Sequence, residues 1–323
     1  MNFVDLCRGD FGRKVAYTGV DRITPQNVVK VVSDTIGIHN RNRTLIDYLY
    51  RYMKGDQPIL YRNKIVRPEV NNRVVENHAF ETVKFKAGQI CGEPIQYVCK
   101  KKNADKKINE QVDLLNDYLD EANADARNIQ RAIYQSATGT SYKAILKEED
   151  WTENGDLPPF RIFIPYPGDC YIVYSQRNGK PMLSVQILKD EDEQQYYLCY
   201  SKKQFFKITN GKVTEYGING FGGIPIVECP NNHDRLSDVE IAITLFDAIN
   251  KYQSDRLNGV EQFVQAFMKF KNCEVDENEF LKMVKLGAIS VKDTGNGCQS
   301  DVELMTAELN QSESQVAKDD IYN

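Results

Sequence analysis

The stretch SDVEIAITLFDAINKYQSDRLNGVEQFVQAFMKFK, residues 237–271, constrains the fold of this 323-residue chain more than any other part of the sequence. It opens with a capping box, because Ser237 can cap a helix and Glu240 follows three residues later. The stretch contains no proline and a single glycine, Gly259. The pattern therefore predicts one continuous helix of about 35 residues, roughly 52 Å long, about three times the average helix of a globular protein.

On a helical wheel this helix has an apolar face and a polar face. The apolar face is predicted to hold Ala242, Leu245, Phe246, Ile249, Tyr252, Leu257, Val260, Phe263, Val264 and Phe267. The polar face holds Thr244, Asp247, Lys251, Asn258, Gln262, Gln265 and Lys269. A long helix that is apolar on one side can pack against copies of itself, or it can be the spine of a large monomeric domain. The residues alone leave both interpretations open.

The region before this helix, from about 160 to 229, is predicted to be an antiparallel sheet. Its segments are rich in β-branched and aromatic residues, and Asn178-Gly179 and Asn210-Gly211 are strong hairpin turns. The predicted strands cover 161–164, 171–174, 183–188, 196–200, 205–208 and 212–216.

The first half of the chain is predicted to be mainly helical. Thr24-Pro25 is a typical helix start, and Gly55 is a typical helix end. The first predicted helix begins at residue 24, and further helices are predicted over about 40–54, 72–91, 108–119 and 129–133. Strands are predicted over 95–99 and 141–146, and a hairpin is predicted between 59–61 and 65–66. Segregated helices and antiparallel strands indicate an α+β fold.

The region after residue 271 is predicted to be a small mixed unit. It comprises a helix near 277–285, a strand over 288–292, a turn at Gly295–Gly297 and a strand over 302–305. Residues 312–323 have the pattern of the start of another helix.

Composition and charge exclude several functional classes. The formal net charge is −5, whereas a protein that grips DNA phosphates usually has clustered lysine and arginine. No apolar run approaches the ~20 residues that span a membrane, and the N-terminus lacks the pattern of a secretory signal. The eight cysteines are scattered without a C-x-x-C pair, which favours reduced thiols in the cytosol over structural zinc.

The sequence contains no specific catalytic pattern. It lacks a G-x-x-x-x-G-K-[ST] phosphate loop, an H-E-x-x-H zinc motif and a G-x-S-x-G nucleophile elbow. We therefore predict no catalytic residue, no metal and no cofactor. An enzyme whose site is assembled from distant residues remains the alternative, and its first candidates would be Asp169, His233, Asp234 and Asp255.

Four motifs, in this order, resemble the portal proteins of tailed bacteriophages, specifically the siphophage group typified by the SPP1 portal. They are YMKGDQPILYR (52–62), NNRVVENHAFETVKFKAGQICGEPIQY (71–97), FGGIPIVECPNN (221–232) and SDVEIAITLFDAINKYQSDRLNGVEQF (237–263). No single motif is decisive, but their order and spacing over about 250 residues are specific to this family.

The resemblance implies a non-enzymatic structural subunit of a ring, typically twelve-fold, at one vertex of the capsid. By the family's architecture, 1–23 is an N-terminal segment, 24–235 a mixed helical and antiparallel-β wing, 236–271 the first stem helix, 272–311 a small α/β clip, and 312–323 the start of a second stem helix. The rest of the stem, a tunnel loop and a crown would follow beyond Asn323.

The resemblance also implies partners and a location. Such a ring conducts double-stranded DNA without sequence specificity, docks the large terminase subunit and head-completion or connector proteins, and contacts the major capsid and scaffolding proteins. It belongs to the virion and assembles in the host cytoplasm, without a membrane. Another non-catalytic capsid or tail adaptor would share this character and differ mainly in stoichiometry.

Three groups of residues follow as expectations from the predicted stem and clip. The DNA-channel candidates are Lys251, Asn258, Gln262 and Lys269, on the polar face of the helix. The candidates for packing within the stem or between subunits are Leu245, Phe246, Ile249, Tyr252, Val260, Phe263 and Phe267. Lys292 and Asn296, in the clip, are the candidates for partner docking. A mixed-charge channel wall suits a conduit, because a strongly basic wall would hold the DNA by counterion release.

Overall fold

The computed structural model describes residues 3–7, 10–65, 68–100, 106–148, 151–152, 158–264, 267–271, 276, 278 and 301–305. Within these residues the helices are α1 (Phe3–Cys7), α2 (Val28–Met53), α3 (His78–Cys91), α4 (Lys106–Glu121), α5 (Ala124–Thr138) and α6 (Asp238–Val264). The strands are β1 (Ala16–Thr18), β2 (Thr140–Lys147), β3 (Phe160–Phe163), β4 (Cys170–Ser175), β5 (Pro181–Lys189), β6 (Gln195–Tyr200), β7 (Gln204–Thr209), β8 (Lys212–Ile218), β9 (Ile226–Pro230), β10 (Phe267–Lys271) and β11 (Asp301–Met305). The fold is α+β, as the sequence predicts.

The contacts divide the chain into two compact units. The first unit comprises Met1–Pro58 and Asn77–Phe246, and the second comprises Ile59–Glu76 and Asp247–Asn323. The boundary falls inside α6, so the first turns of this helix belong to one unit and the remainder to the other.

A six-stranded sheet in the order β1-β4-β5-β6-β7-β8 forms one side of the first unit. Only the β1–β4 pair is parallel, and consecutive strands from β4 to β8 pair antiparallel. Val28, Val31 and Val32 of α2 cover it and pack in one core with strand residues such as Leu183 and Phe206. Both predicted hairpin turns are confirmed, since Gly179, Asn210 and Gly211 adopt positive φ between the strands they connect.

A second core in the first unit joins the helices to the start of α6. Leu45, Leu49 and Tyr52 of α2 pack in one cluster with Ala79 and Val83 of α3 and with Val239, Ile243 and Phe246 of α6. The first two turns of α6 are therefore part of the core.

The first unit also contains a three-stranded antiparallel sheet in the order β3-β2-β9, and its central strand β2 follows α5 directly in the chain.

Several predicted elements differ in the structure. The two helices expected over 24–54 are the single helix α2. The predicted start at Thr24-Pro25 is wrong, because α2 begins at Val28 with Asn27 as its N-cap. The helix ends at Met53, and Gly55, the predicted stop, follows two residues later with φ of +99°. The expected hairpin at 59–66 is wrong, because Pro58–Tyr61 is a short 3-10 helix. The helix expected from 72 starts only at His78, where the Asn77 side chain accepts a hydrogen bond from the Phe80 N–H.

The long helix is shorter than predicted. α6 ends at Val264, and Phe267–Lys271 forms β10, which pairs antiparallel with β11 at Asp301–Met305. This pairing joins residues from 30 positions apart, at Lys271 and Asp301, to 38 positions apart, at Phe267 and Met305. Such non-local contacts override a local helical pattern. The strand predicted at 302–305 is confirmed. The elements predicted at 277–285, 288–292, 295–297 and 312–323 lie outside the described residues, apart from the isolated Asn278.

Among the helices that the structure describes, none combines the length and the apolar character needed to cross a membrane.

Candidate oligomer and DNA-channel surfaces

The capping box predicted at the start of α6 is confirmed. The Ser237 Oγ accepts hydrogen bonds from the backbone N–H groups of Val239 (3.0 Å) and Glu240 (3.3 Å). The Glu240 carboxylate returns to the backbone N–H of Ser237 at 3.2 Å. Both side chains are buried, so the cap fixes the start of α6 within the first unit.

The N-terminal segment completes this cap with a buried ion pair. The Arg13 guanidinium lies 2.7 Å from the Glu240 carboxylate, and the Gly12 N–H donates to its other oxygen at 2.8 Å. Burial lowers the pKa of Arg13, and the nearby Glu240 carboxylate opposes that change. Residues 10–13, which show no regular pattern in the sequence, therefore anchor the start of the long helix.

The loop between β9 and α6 is held by a polar network within the first unit. The Asp238 carboxylate accepts hydrogen bonds from Ser136 (2.6 Å), Lys86 (2.9 Å) and Asn231 (3.0 Å). Arg235, at the end of the loop, makes two hydrogen bonds to Glu228 at 2.7 and 3.0 Å. Burial would raise the pKa of Glu228, but its bonds to Arg235 outweigh burial and lower it. The loop is therefore held by hydrogen bonds of Asn231 and Arg235 and, just after it, of Asp238.

In the second unit, residues 71–76 form an extended segment, here called the strap, that lies along α6. The N–H groups of Asn72, Val74 and Glu76 donate to the side chains of Asn258 (2.7 Å), Ser254 (2.9 Å) and Asn250 (2.8 Å), respectively. Two residues of extended chain advance about 6.7 Å and four residues of helix advance about 6 Å. Because these two repeats nearly match, three polar side chains on one helical face bind alternate N–H groups of the strap.

Side-chain pairs flank this ladder of hydrogen bonds. Gln253 donates to Glu76 at 2.7 Å, and the Asn72 amide donates to Glu261 at 2.8 Å. Arg62 forms an ion pair with Asp255 at 2.8 Å. The strap is thus held to α6 largely by polar contacts.

The structure places the four predicted DNA-channel residues in different environments. Lys251 is exposed, as a channel residue must be, but Asn258 is only 3% exposed because its amide is bound to Asn72. The prediction that Asn258 faces DNA is therefore wrong for this structure. Lys269 lies on β10 and not on the helix. Gln262 lies on α6, but its side chain is outside the described residues.

The predicted packing face of α6 separates into residues that the chain buries itself and residues that it leaves exposed. Phe246 and Ile249 are buried, and Phe246 belongs to the core of the first unit, so neither is available to a neighbour. Leu245 and Val260 are exposed and Tyr252 is half-buried. Phe263 lies near the C-terminal end of α6, and its side chain is outside the described residues. Phe267 lies on β10. Lys292 and Asn296 also lie outside the described residues.

An exposed apolar residue that the wheel did not select is Ile241. Its side chain is 65% exposed, and Leu245, one turn later, is 43% exposed. Both lie on the opposite side of α6 from the buried Ile243 and Phe246. The sequence contains a signal for this exposed stripe, because Ile241 and Leu245 are four residues apart and lie on the same side of a helix. A helical wheel that assumes one apolar face does not distinguish the exposed stripe from the buried one.

The four residues suggested for an enzyme site are engaged separately. Asp169 pairs with Arg43 at 3.0 Å, and burial raises its pKa. Asp255 pairs with Arg62. His233 and Asp234 are adjacent in the chain, 3.2 Å apart, and exposed. Within the described residues no group of three or more His, Cys, Asp or Glu side chains is arranged to hold a metal ion.

A model of the family described as phage portal protein, SPP1 Gp6-like, matches residues 33–323. The chain therefore belongs to this family of structural portal proteins. No curated protein matches the chain.

Proposed function

We propose that this protein is the subunit of a ring, typically of twelve copies, that forms the head-to-tail connector at one capsid vertex. The family match over residues 33–323 carries the proposal. The capped start of α6 and the exposed Ile241 and Leu245 support it, because a ring needs a surface that each copy offers to the next. The ring would admit double-stranded DNA during packaging and release it during ejection.

In the proposed organisation, residues 24–235 form the wing and the first stem helix begins at residue 236. Residues 272–311 form the clip, and residues 312–323 begin the second stem helix. The clip, with Lys292 and Asn296, is proposed to dock terminase and head-completion proteins. The capsid and scaffolding proteins would contact the outside of the ring. No catalytic step is part of this function.

Lys251 is the proposed DNA-facing residue that the structure leaves accessible. Lys269, on β10, keeps this role only if the strand also faces the channel. Replacing both with Glu should impair DNA packaging, because it places like charge beside passing phosphates. Unchanged packaging in the double variant would contradict the assignment.

The decisive test is the mass and shape of the purified full-length protein. Native mass spectrometry should give a single closed oligomer, and negative-stain images should show annular particles. A protein that stays monomeric at micromolar concentration would overturn the proposal.

A further inference from the structure

Residues 93–99, here called the free segment, lie between α3 and α4 and belong to no helix and no sheet. The strand that the sequence predicts at 95–99 is therefore not formed within the described chain. Ile95, Tyr97 and Val98 are exposed, Val98 by 83%. Exposed apolar residues with a strand-like sequence and no strand partner can pair with the open edge of another sheet.

One edge of the free segment is already occupied. The Asn116 side chain of α4 accepts a hydrogen bond from the Tyr97 N–H at 3.0 Å and donates to the Tyr97 carbonyl at 2.9 Å. The amide thus copies the two bonds of a neighbouring strand. Among the described residues, no hydrogen bond involves the backbone groups of Gln96 or Val98. If the segment forms a strand, these groups lie on the edge opposite Asn116, because the backbone groups of successive strand residues point to opposite edges.

The same unit has a sheet edge of the matching kind. β8 is the last strand of the six-stranded sheet, and among the described residues no strand pairs with its outer edge. It exposes Tyr216 by 60% and Ile218 by 87%. With seven residues it is longer than the edge strands β1, β3 and β9. It is therefore the edge best able to accept a strand.

Both surfaces carry acidic and basic side chains. α4, which Asn116 ties to the free segment, exposes the acids Asp113, Asp117, Asp120 and Glu121 around and beyond its midpoint, while the exposed Lys100 directly follows the free segment and Lys106 and Lys107 begin α4. The exposed bases Lys202 and Lys203 lie before β7 and Lys212 begins β8, while β8 also exposes Glu215. Among the described residues, neither these four acids of α4 nor Lys202, Lys203 and Lys212 form an ion pair.

We propose that the free segment of one subunit adds as an outer strand to β8 of the next subunit. This proposal rests on the proposed ring. It specifies a head-to-tail contact, in which two different surfaces of the chain meet, and such contacts close into rings when the rotation permits. Strand addition gives affinity through backbone hydrogen bonds, and attraction between the acids of α4 beside Asn116 and the lysines beside β8 adds to it.

Photocrosslinking of the full-length protein tests the contact. A benzophenone amino acid at Val98 should form a crosslink between subunits to peptides within residues 204–221. The same probe at Ile65, which is 98% exposed in the second unit, is the control and should not reach those peptides. In an assembled ring, a Val98 probe that crosslinks elsewhere, or not at all, overturns the strand addition and leaves the ring proposal intact. A protein that forms no assembly overturns both.

A proline variant tests the backbone bonds. Val98→Pro removes one N–H from the open edge and leaves the Tyr97 bonds to Asn116 available, so the isolated subunit should fold normally by circular dichroism. The concentration at half-assembly should rise at least tenfold. Val98→Ala keeps the N–H and should raise that concentration much less. Equal assembly of the proline variant and the unmodified protein contradicts the proposal.

Discussion

At the residue scale, buried polar side chains hold parts of this protein that sequence patterns describe poorly. His39, on α2, is 1% exposed, donates to the Gly168 carbonyl at 2.8 Å and stacks on Tyr171 at 4.6 Å. In the sequence it is one of three scattered histidines. Its role depends on a carbonyl 129 positions away, which no local pattern can indicate.

The first prediction concerns the pH dependence of stability. Burial lowers the pKa of His39 to about 4. Because the unfolded histidine has a pKa near 6.5, the unfolded chain binds this proton first. The contribution of His39 is therefore complete above pH 6.5 and falls by about 3 kcal/mol as the pH drops to about 4. Urea unfolding between pH 7 and 4.5 should show most of this loss.

The matched variants are His39→Gln and His233→Gln. The first retains a hydrogen-bond donor without the titration, so its free energy of unfolding should vary less over this pH range. The His233 side chain is fully exposed, so its variant should behave as the unmodified protein does. An identical pH profile for His39→Gln and the unmodified protein would show that another group titrates.

The second prediction concerns Gly139, which ends α5 with φ of +85°. A Cβ atom there would lie 2.0 Å from the Arg235 carbonyl oxygen, a backbone atom that cannot move alone. Gly139→Ala should therefore lower the free energy of unfolding by more than the ~1–2 kcal/mol of left-handed strain. Gly179→Ala is the control, because its φ is +66° but no atom lies within 4 Å of the added Cβ. Similar losses in denaturant unfolding would contradict the clash.

At the element scale, the two ends of α6 differ in how well the sequence predicts them. The start is predictable because Ser237 and Glu240 act locally, within three residues. The end is not, because β10 forms only through its partner β11. The strap is a similar case: Asn71-Asn72 resembles a helix cap, but α6 binds the following residues in extended form.

The third prediction tests the ladder between the strap and α6. Ser254→Ala removes the acceptor of the Val74 N–H and should cost about 1–3 kcal/mol for the unsatisfied group. Amide hydrogen exchange of residues 72–76 should accelerate. Thr244→Ala, at an exposed position of the same helix, should leave that exchange unchanged. Equal protection of the strap in both variants would show that the ladder is not what holds it.

At the scale of the whole molecule, the sequence predicts the class of the protein better than its surfaces. The order of four motifs was sufficient to indicate the portal family, which the match over residues 33–323 confirms. Which side of α6 faces outward could not be read from the sequence, since Phe246 and Leu245 are adjacent apolar residues with opposite fates. The chain buries Phe246 in its own core and leaves Leu245 exposed, a difference set by the packing of α2 and α3.

The fourth prediction follows from that exposure. If Ile241 and Leu245 contact a neighbouring subunit, then Ile241→Asp and Leu245→Asp place a charge in an apolar interface that cannot pair it. Each should leave the thermal unfolding of the subunit nearly unchanged, because these side chains are 65% and 43% exposed, and should shift native mass spectra from rings to monomers. Thr244→Asp adds the same charge at an exposed polar position of α6 and is the control. Rings of unchanged size in all three variants would exclude this stripe from the interface, since a ring cannot tolerate an unpaired buried charge in every one of its contacts.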